Sequence, residues 1–157
     1  MDHDQTCVVC ARLARPRTDD GIFVAELSES IAILADDQFY PGYCILMLKE
    51  HHEQLAQLPA PRQARLWSDV AAIAAALTAT CAPARLNYEC LGNLAPHIHW
   101  HVVPRYADDE RRHEPIWVRP AEERRGSASL AQRRELVARL RAALPAQAAS
   151  PPGQAQP

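Results

Sequence analysis

His97-Ile98-His99-Trp100-His101-Val102-Val103 alternates three histidines with bulky apolar residues. In an extended strand successive side chains point to opposite faces, so His97, His99 and His101 share one face and Ile98, Trp100 and Val102 the other. The apolar face has to pack on a core. The three imidazoles then stand in a row on a rigid support, as a site with fixed geometry requires. Isolated histidines are ordinarily exposed surface residues, but three in strict alternation with bulky apolar partners fit that reading poorly. Two chemistries suit the row. Two of the imidazoles can share a metal ion, or one neutral imidazole can act as a nucleophile that its neighbours orient.

The flanking sequence supplies the rest of a sheet. Ile22 to Leu27 and Ser30 to Ala35 read as strands, and Asp36 to Gly42 as a loop closed by Pro41-Gly42. Tyr43 to Lys49 is nearly all apolar and reads as a strand buried on both faces. Pro59 to Thr80 is the clearest helix: its prolines suit a first turn, Leu66, Val70, Ile73 and Leu77 recur at helical spacing, and Pro83 stops it. Arg85 to Leu91 is a further strand, Gly92 to Pro96 a turn, and His97 to Val103 the histidine strand. Pro104, having no N–H for a ladder, is expected to end it. Ser129 and Gln132 form a capping box for a helix through Leu144. Before the sheet, Cys7 to Ala14 reads as a short helical turn and Pro16 to Gly21 as a polar turn. This order predicts an α+β fold: an antiparallel sheet, a long helix packed on it and a C-terminal helix. The predicted organisation is a domain over residues 1–120, a helical extension over 121–144 and a disordered tail over 145–157.

Hydrophobic residues make up 48% of the 157, enough for a core. With 17 basic and 19 acidic residues the net charge is -2, so no overall field draws in nucleic acid or an anionic membrane, and neither partner is expected. The first residues are polar and no apolar run approaches the roughly 20 residues that span a bilayer, so neither a signal peptide nor a membrane span is expected. Five cysteines, an odd number, point to reduced thiols and a cytoplasmic location. Cys44, Cys81 and Cys90 lie in apolar runs and read as core thiols, and Asp108 to Arg112 as a solvated charge run. Cys7-x-x-Cys10 has the spacing of two metal-binding thiolates, a weak signal alone.

The histidine strand fits, at every position, the pattern of the histidine-triad (HIT) family, in which three histidines alternate with apolar residues. Pro104-Arg105-Tyr106 also resembles the residues just after the motif in bacterial members. Pro41-Gly42, an apolar strand and Lys49-Glu50-His51 resemble the family's Pro-Gly-His, strand, Lys-Lys-His segment, with Tyr43 where histidine is frequent. The similarity runs from about Cys7 to Tyr106 and points to a bacterial branch that resembles diadenosine tetraphosphate hydrolases.

The resemblance implies a HIT-like fold, usually a homodimer, and chemistry at the α-phosphate of a nucleotide, the small-molecule substrate. The catalytic residues would be His97, His99 and His101. His99 would attack phosphorus to form a nucleotidyl-histidine, His101 would hydrogen-bond near the phosphate and leaving group, and a strand carbonyl would fix the tautomer of His99. Gly92-Asn93 stands at the family's Gly-Gln position, which makes both candidate substrate-binding residues, although the pair is equally a turn. Asp36 stands near the family's ribose-binding position, with Asp37 as the alternative; a loop-capping aspartate fits equally. Ile33 and Leu46 are candidate walls of a base pocket, or ordinary core. The resemblance also joins Cys7 and Cys10 to His51 and His97 as ligands of a structural zinc, His51 being preferred to the adjacent His52. The connection from Asn87 to His97 is shorter than the Gly/Ser-rich phosphate loop of many members. It leaves open a non-catalytic nucleotide-binding module beside the hydrolase or transferase. A third reading places a catalytic metal on His97, His99 and His101. Trp117 would cover part of the site or pack in an interface or core.

Overall fold

Alternating apolar residues and short turns fold into five strands, seen in a computed structural model that describes residues 6–15 and 22–145. The strands are β1 (Phe23–Glu26), β2 (Ser30–Leu34), β3 (Cys44–Leu48), β4 (Arg85–Glu89) and β5 (His99–Arg105). They form one antiparallel sheet in the order β1-β2-β3-β5-β4. With α1 (Val8–Leu13), α2 (Ala60–Cys81), α3 (Ala121–Arg124) and α4 (Leu130–Ala143), the architecture is the expected α+β. The expected turn over 16–21 and the tail from 146 onward lie outside the described residues.

Helices α2 and α4 cover one face of the sheet. Leu34, Leu46, Trp100 and Val102 meet Val70, Ile73 and Leu77 of α2 and Val137 and Leu140 of α4 in one buried cluster. Each such aliphatic side chain, taken fully from water, contributes about 1.5–3 kcal/mol. The other face is divided. Toward the N-terminus, α1 sets Val9 on Ile31, Ile33 and Met47. At the other end Tyr40, Tyr43, Val103 and Ile116 pack together. Between these two clusters the face carries the histidines.

Two strand boundaries differ from expectation. β5 begins at His99, opposite Met47, so His97 precedes the ladder. Pro104 does not end the strand: it pairs with Leu86 on β4, and Arg105 with Arg85. The β3 ladder has already ended opposite Val102, so no β3 residue calls for an N–H from the proline, and Gly42 packs against its ring. The charged stretch from Asp108 is also not wholly solvated, because Asp109 is drawn in beneath Arg105, which is 1% exposed and bonded to it at 2.6 Å. Cys90 is exposed at the end of β4 instead of joining the core.

Two glycines set how the loops meet the sheet. Gly42 has φ +92°, and a Cβ there would lie 2.9 Å from Cys81 Sγ, so only glycine brings the loop this close to α2. Gly126, φ +67°, lets residues 124–126 lie against the loop before β3; a Cβ would sit 2.6 Å from Phe39 N. There Phe39 N donates to Arg124 O and Gln38 N to Arg125 O. Among the described residues no helix is long and apolar enough to cross a membrane.

Candidate functional site

The three histidines face three different environments. His97 is 1% exposed. The Leu48 carbonyl, 2.8 Å from Nε2, can only accept, so Nε2 carries the ring proton and Nδ1 the lone pair. That lone pair faces Cys7 Sγ at 3.6 Å and Cys10 Sγ at 3.5 Å. His51 Nδ1 is 3.4 Å from Cys10 Sγ. The cysteines meet because Cys7 is the N-cap of α1 and Cys10 lies within its first turn. A tetrahedral ion with bonds of about 2.3 Å to sulfur and 2.0–2.1 Å to nitrogen separates S from N by about 3.5 Å, the spacing seen here. Ligand atoms of Cys7, Cys10, His51 and His97 all lie within 4.8 Å of one another and could hold a metal ion. Burial pushes the His97 pKa below its ordinary value, which favours the neutral, ligating ring. A carbonyl on the far ring nitrogen is the usual device for aiming such a ligand. His52 turns away, its Nε2 3.5 Å from Glu50.

His99 is half-buried. Its Nδ1 donates to the His97 carbonyl at 2.6 Å, which leaves Nε2 as the lone-pair nitrogen. His101 is 8% exposed, and Tyr43 Oη lies 2.6 Å from its Nδ1. Its ring meets His99 edge-on at 4.9 Å and Trp117 at 5.1 Å. Burial first, then His99 and the Arg124 cation, lower the His101 pKa to about 4, so this ring is neutral near pH 7.

The candidate substrate contacts are scattered. Gly92, φ +86°, lines a cleft of about 490 Å³ with Ile98 and Trp100, on the core side of the histidine segment. Asn93 is exposed in the turn. The Asp36 side chain is 73% exposed and reaches Arg12 at 3.8 Å, with no contact to the triad. Its neighbour Asp37 bonds Arg124 Nε at 2.9 Å, and Arg124 lies over the Trp117 ring at 5.0 Å, so Asp37 is the aspartate linked to His101. Ile33 is on the triad face, since it pairs with Ile45 and Ile45 with His101. Leu46 pairs with Trp100 and faces the other way, so it walls no pocket with His99.

Several residues on this face went unread in sequence. Glu89 stands directly opposite His101 and accepts a hydrogen bond from Trp117 Nε1. Asn87, opposite Val103, shares their face, and its buried Oδ1 has no hydrogen-bond partner among the described residues. The alternation Arg85, Asn87, Glu89 was the available signal. Arg124 had none, since only the returning chain brings it over Trp117, which lies against His101 as a cover for the site would.

The model of the HIT domain matches residues 17–108. A histidine triad protein from Sinorhizobium meliloti shares 25% identity with a TM-score of 0.74, over 88% of this chain and 98% of that one. A Zn-bound histidine triad family protein from Mycobacterium smegmatis shares 25% identity at TM-score 0.64, over 88% and 92%. A hypothetical histidine triad nucleotide-binding protein from Sulfolobus tokodaii, at 20% identity and TM-score 0.60 over 78% and 82%, shares the fold. No curated protein matches the chain. With more than half of its length matched and His99 and His101 set on β5 of the expected sheet, the chain belongs to the HIT domain family.

Proposed function

We propose that this protein is a nucleotide hydrolase or nucleotidyl transferase acting at the α-phosphate of a nucleoside phosphate derivative. The observation that carries the reading is the 2.6 Å hydrogen bond from His99 Nδ1 to the His97 carbonyl, which aims an unprotonated Nε2 outward from a rigid strand. In the first step Nε2 bonds to phosphorus, the bond from phosphorus to the leaving group breaks, and the electron pair departs with that group. In the second, water attacks phosphorus and gives up a proton, the P–N bond breaks, and a nucleoside monophosphate and free His99 result. His101 faces the same space as hydrogen-bond donor.

Cys7, Cys10, His51 and His97 would hold a structural zinc, which supplies a cross-link and no open coordination position. A catalytic metal on the three histidines fits poorly, because His97 turns to the cysteines and His101 to Tyr43. The dinucleoside polyphosphate branch remains one candidate for the substrate. Residues 1–120 would carry the chemistry, with 121–144 as a helical extension and 145–157 as a tail. A homodimer would form along edge strand β4, where Tyr88 and Leu91 are exposed. The reduced cysteines agree with a cytoplasmic location.

Phosphorus NMR on a panel of nucleotide derivatives tests the reading. His99→Ala should lower monophosphate release by about a thousandfold or more with the fold intact, and a radiolabelled nucleotide should be trapped on His99 of the wild type. Binding without turnover or label would leave the non-catalytic module instead.

A further inference from the structure

Gly42 and the β3–β5 ladder deliver Tyr43 to the floor of the site, where it is 2% exposed. His101 Nδ1, at 2.6 Å, is the hydroxyl's one hydrogen-bond partner among the described residues. A buried hydroxyl proton needs an acceptor, so Tyr43 donates and Nδ1 keeps its lone pair. The single ring proton then sits on Nε2, which makes no hydrogen bond among the described residues. We propose that Tyr43 is a positioning residue that fixes His101 as a neutral Nε2–H donor, and so favours substrates whose leaving group departs as an oxyanion over those that release an alkylamine. This rests on the reaction assigned above.

The chemistry is set by where the protons are. When a phosphoanhydride or an acyl phosphate ester is cleaved, the P–O bond breaks and its electron pair stays on a phosphate or carboxylate oxygen. Such an oxygen is a weak base, and a hydrogen bond from Nε2–H stabilises it without proton transfer. An alkylamine leaves only if its nitrogen gains a proton as the P–N bond breaks. His101 can pass on its Nε2 proton only if the Tyr43 proton crosses to Nδ1 and leaves a buried phenolate, since an imidazolate would otherwise remain. Burial, reinforced by the carboxylates of Asp37 and Glu89, pushes the Tyr43 hydroxyl well above its ordinary range and opposes that crossing, with Arg124 acting weakly the other way. Burial, His99 and Arg124 together disfavour an imidazolium at His101.

Two adenosine monophosphate derivatives test the assignment: the para-nitrophenyl ester, which releases an oxyanion, and the butylamide, which releases an amine. In Tyr43→Phe, kcat on the ester should fall several-fold with KM held, and the ester-to-amide preference should narrow by at least about tenfold, because a bare Nδ1 can take up a proton. Nitrogen-15 NMR of the wild type at neutral pH should show His101 unprotonated at Nδ1 and protonated at Nε2, a readout independent of how the variant folds. A protonated Nδ1 in the wild type, or an unchanged preference in Tyr43→Phe, would overturn the role of Tyr43 while leaving the reaction standing. A wild type that cleaves neither compound nor any anhydride would overturn the reaction itself.

Discussion

Two segments far apart in sequence secure the two ends of the histidine row by different means. At the N-terminal end, α1 presents Cys7 and Cys10 to His97 and His51, and a metal-binding geometry forms from four side chains. At the other end, residues 116–125 fold back, place Trp117 against His101, and anchor Arg124 to Asp37. The first is a point constraint, four ligand atoms within 4.8 Å of one another that could hold a metal ion. The second is spread over ring stacking, one indole hydrogen bond and two backbone bonds to the loop before β3. His99 lies between them, held by the carbonyl of the residue the first segment grips. In the proposed reaction the nucleophile, fixed through its neighbour, needs that neighbour immobile, whereas the hydrogen-bond donor needs a dry, shaped surrounding.

The sharpest way to break this contrast is to remove the N-terminal constraint. Stripping the metal or making Cys10→Ser should destabilise the fold by more than about 4 kcal/mol; metal content per chain should fall to zero in parallel, and activity should be lost along with the fold. Calorimetry and metal analysis check this. A variant with no bound metal and an unshifted unfolding transition would show that the four residues hold nothing of structural weight.

The opposite end should announce itself through pH. Folded His101 titrates near 4, whereas an unburied histidine titrates near 6.5, so between these values the unfolded chain binds a proton that the folded one does not. Stability should therefore be fully present above about pH 6.5 and decline as pH falls toward 4, by up to roughly 3 kcal/mol. Denaturant titrations of wild type and His101→Gln across that range isolate the contribution, because the variant keeps the other acid-sensitive groups. Equal slopes in the two proteins would place His101 in water.

The smallest effect concerns the returning segment. Arg124→Gln removes a cation that depresses His101, so the His101 pKa should rise, with a loss of stability of about 1 kcal/mol from the broken Asp37 bond. NMR titration of the imidazole reads the first and thermal unfolding the second. An unmoved His101 would mean that burial and His99 set its state without Arg124.

Local patterning was enough for the sheet, the long helix and the shared face of His99 and His101, while the four clustered ligands came from the family resemblance. The patterned features arise from local periodicity, such as imidazoles alternating with apolar residues, and of the ligand set only the two thiolates one helical turn apart are a local signal. Only the tertiary structure decided that β5 continues through Pro104, that Asp37 and not Asp36 reaches the triad's surroundings, and that Tyr43, Glu89, Trp117 and Arg124 surround His101. The proline is tolerated because of where another strand ends, and the aspartates are sorted by an arginine 87 residues away. Such contacts depend on where the chain returns, and separation along the chain carries no period from which that can be read.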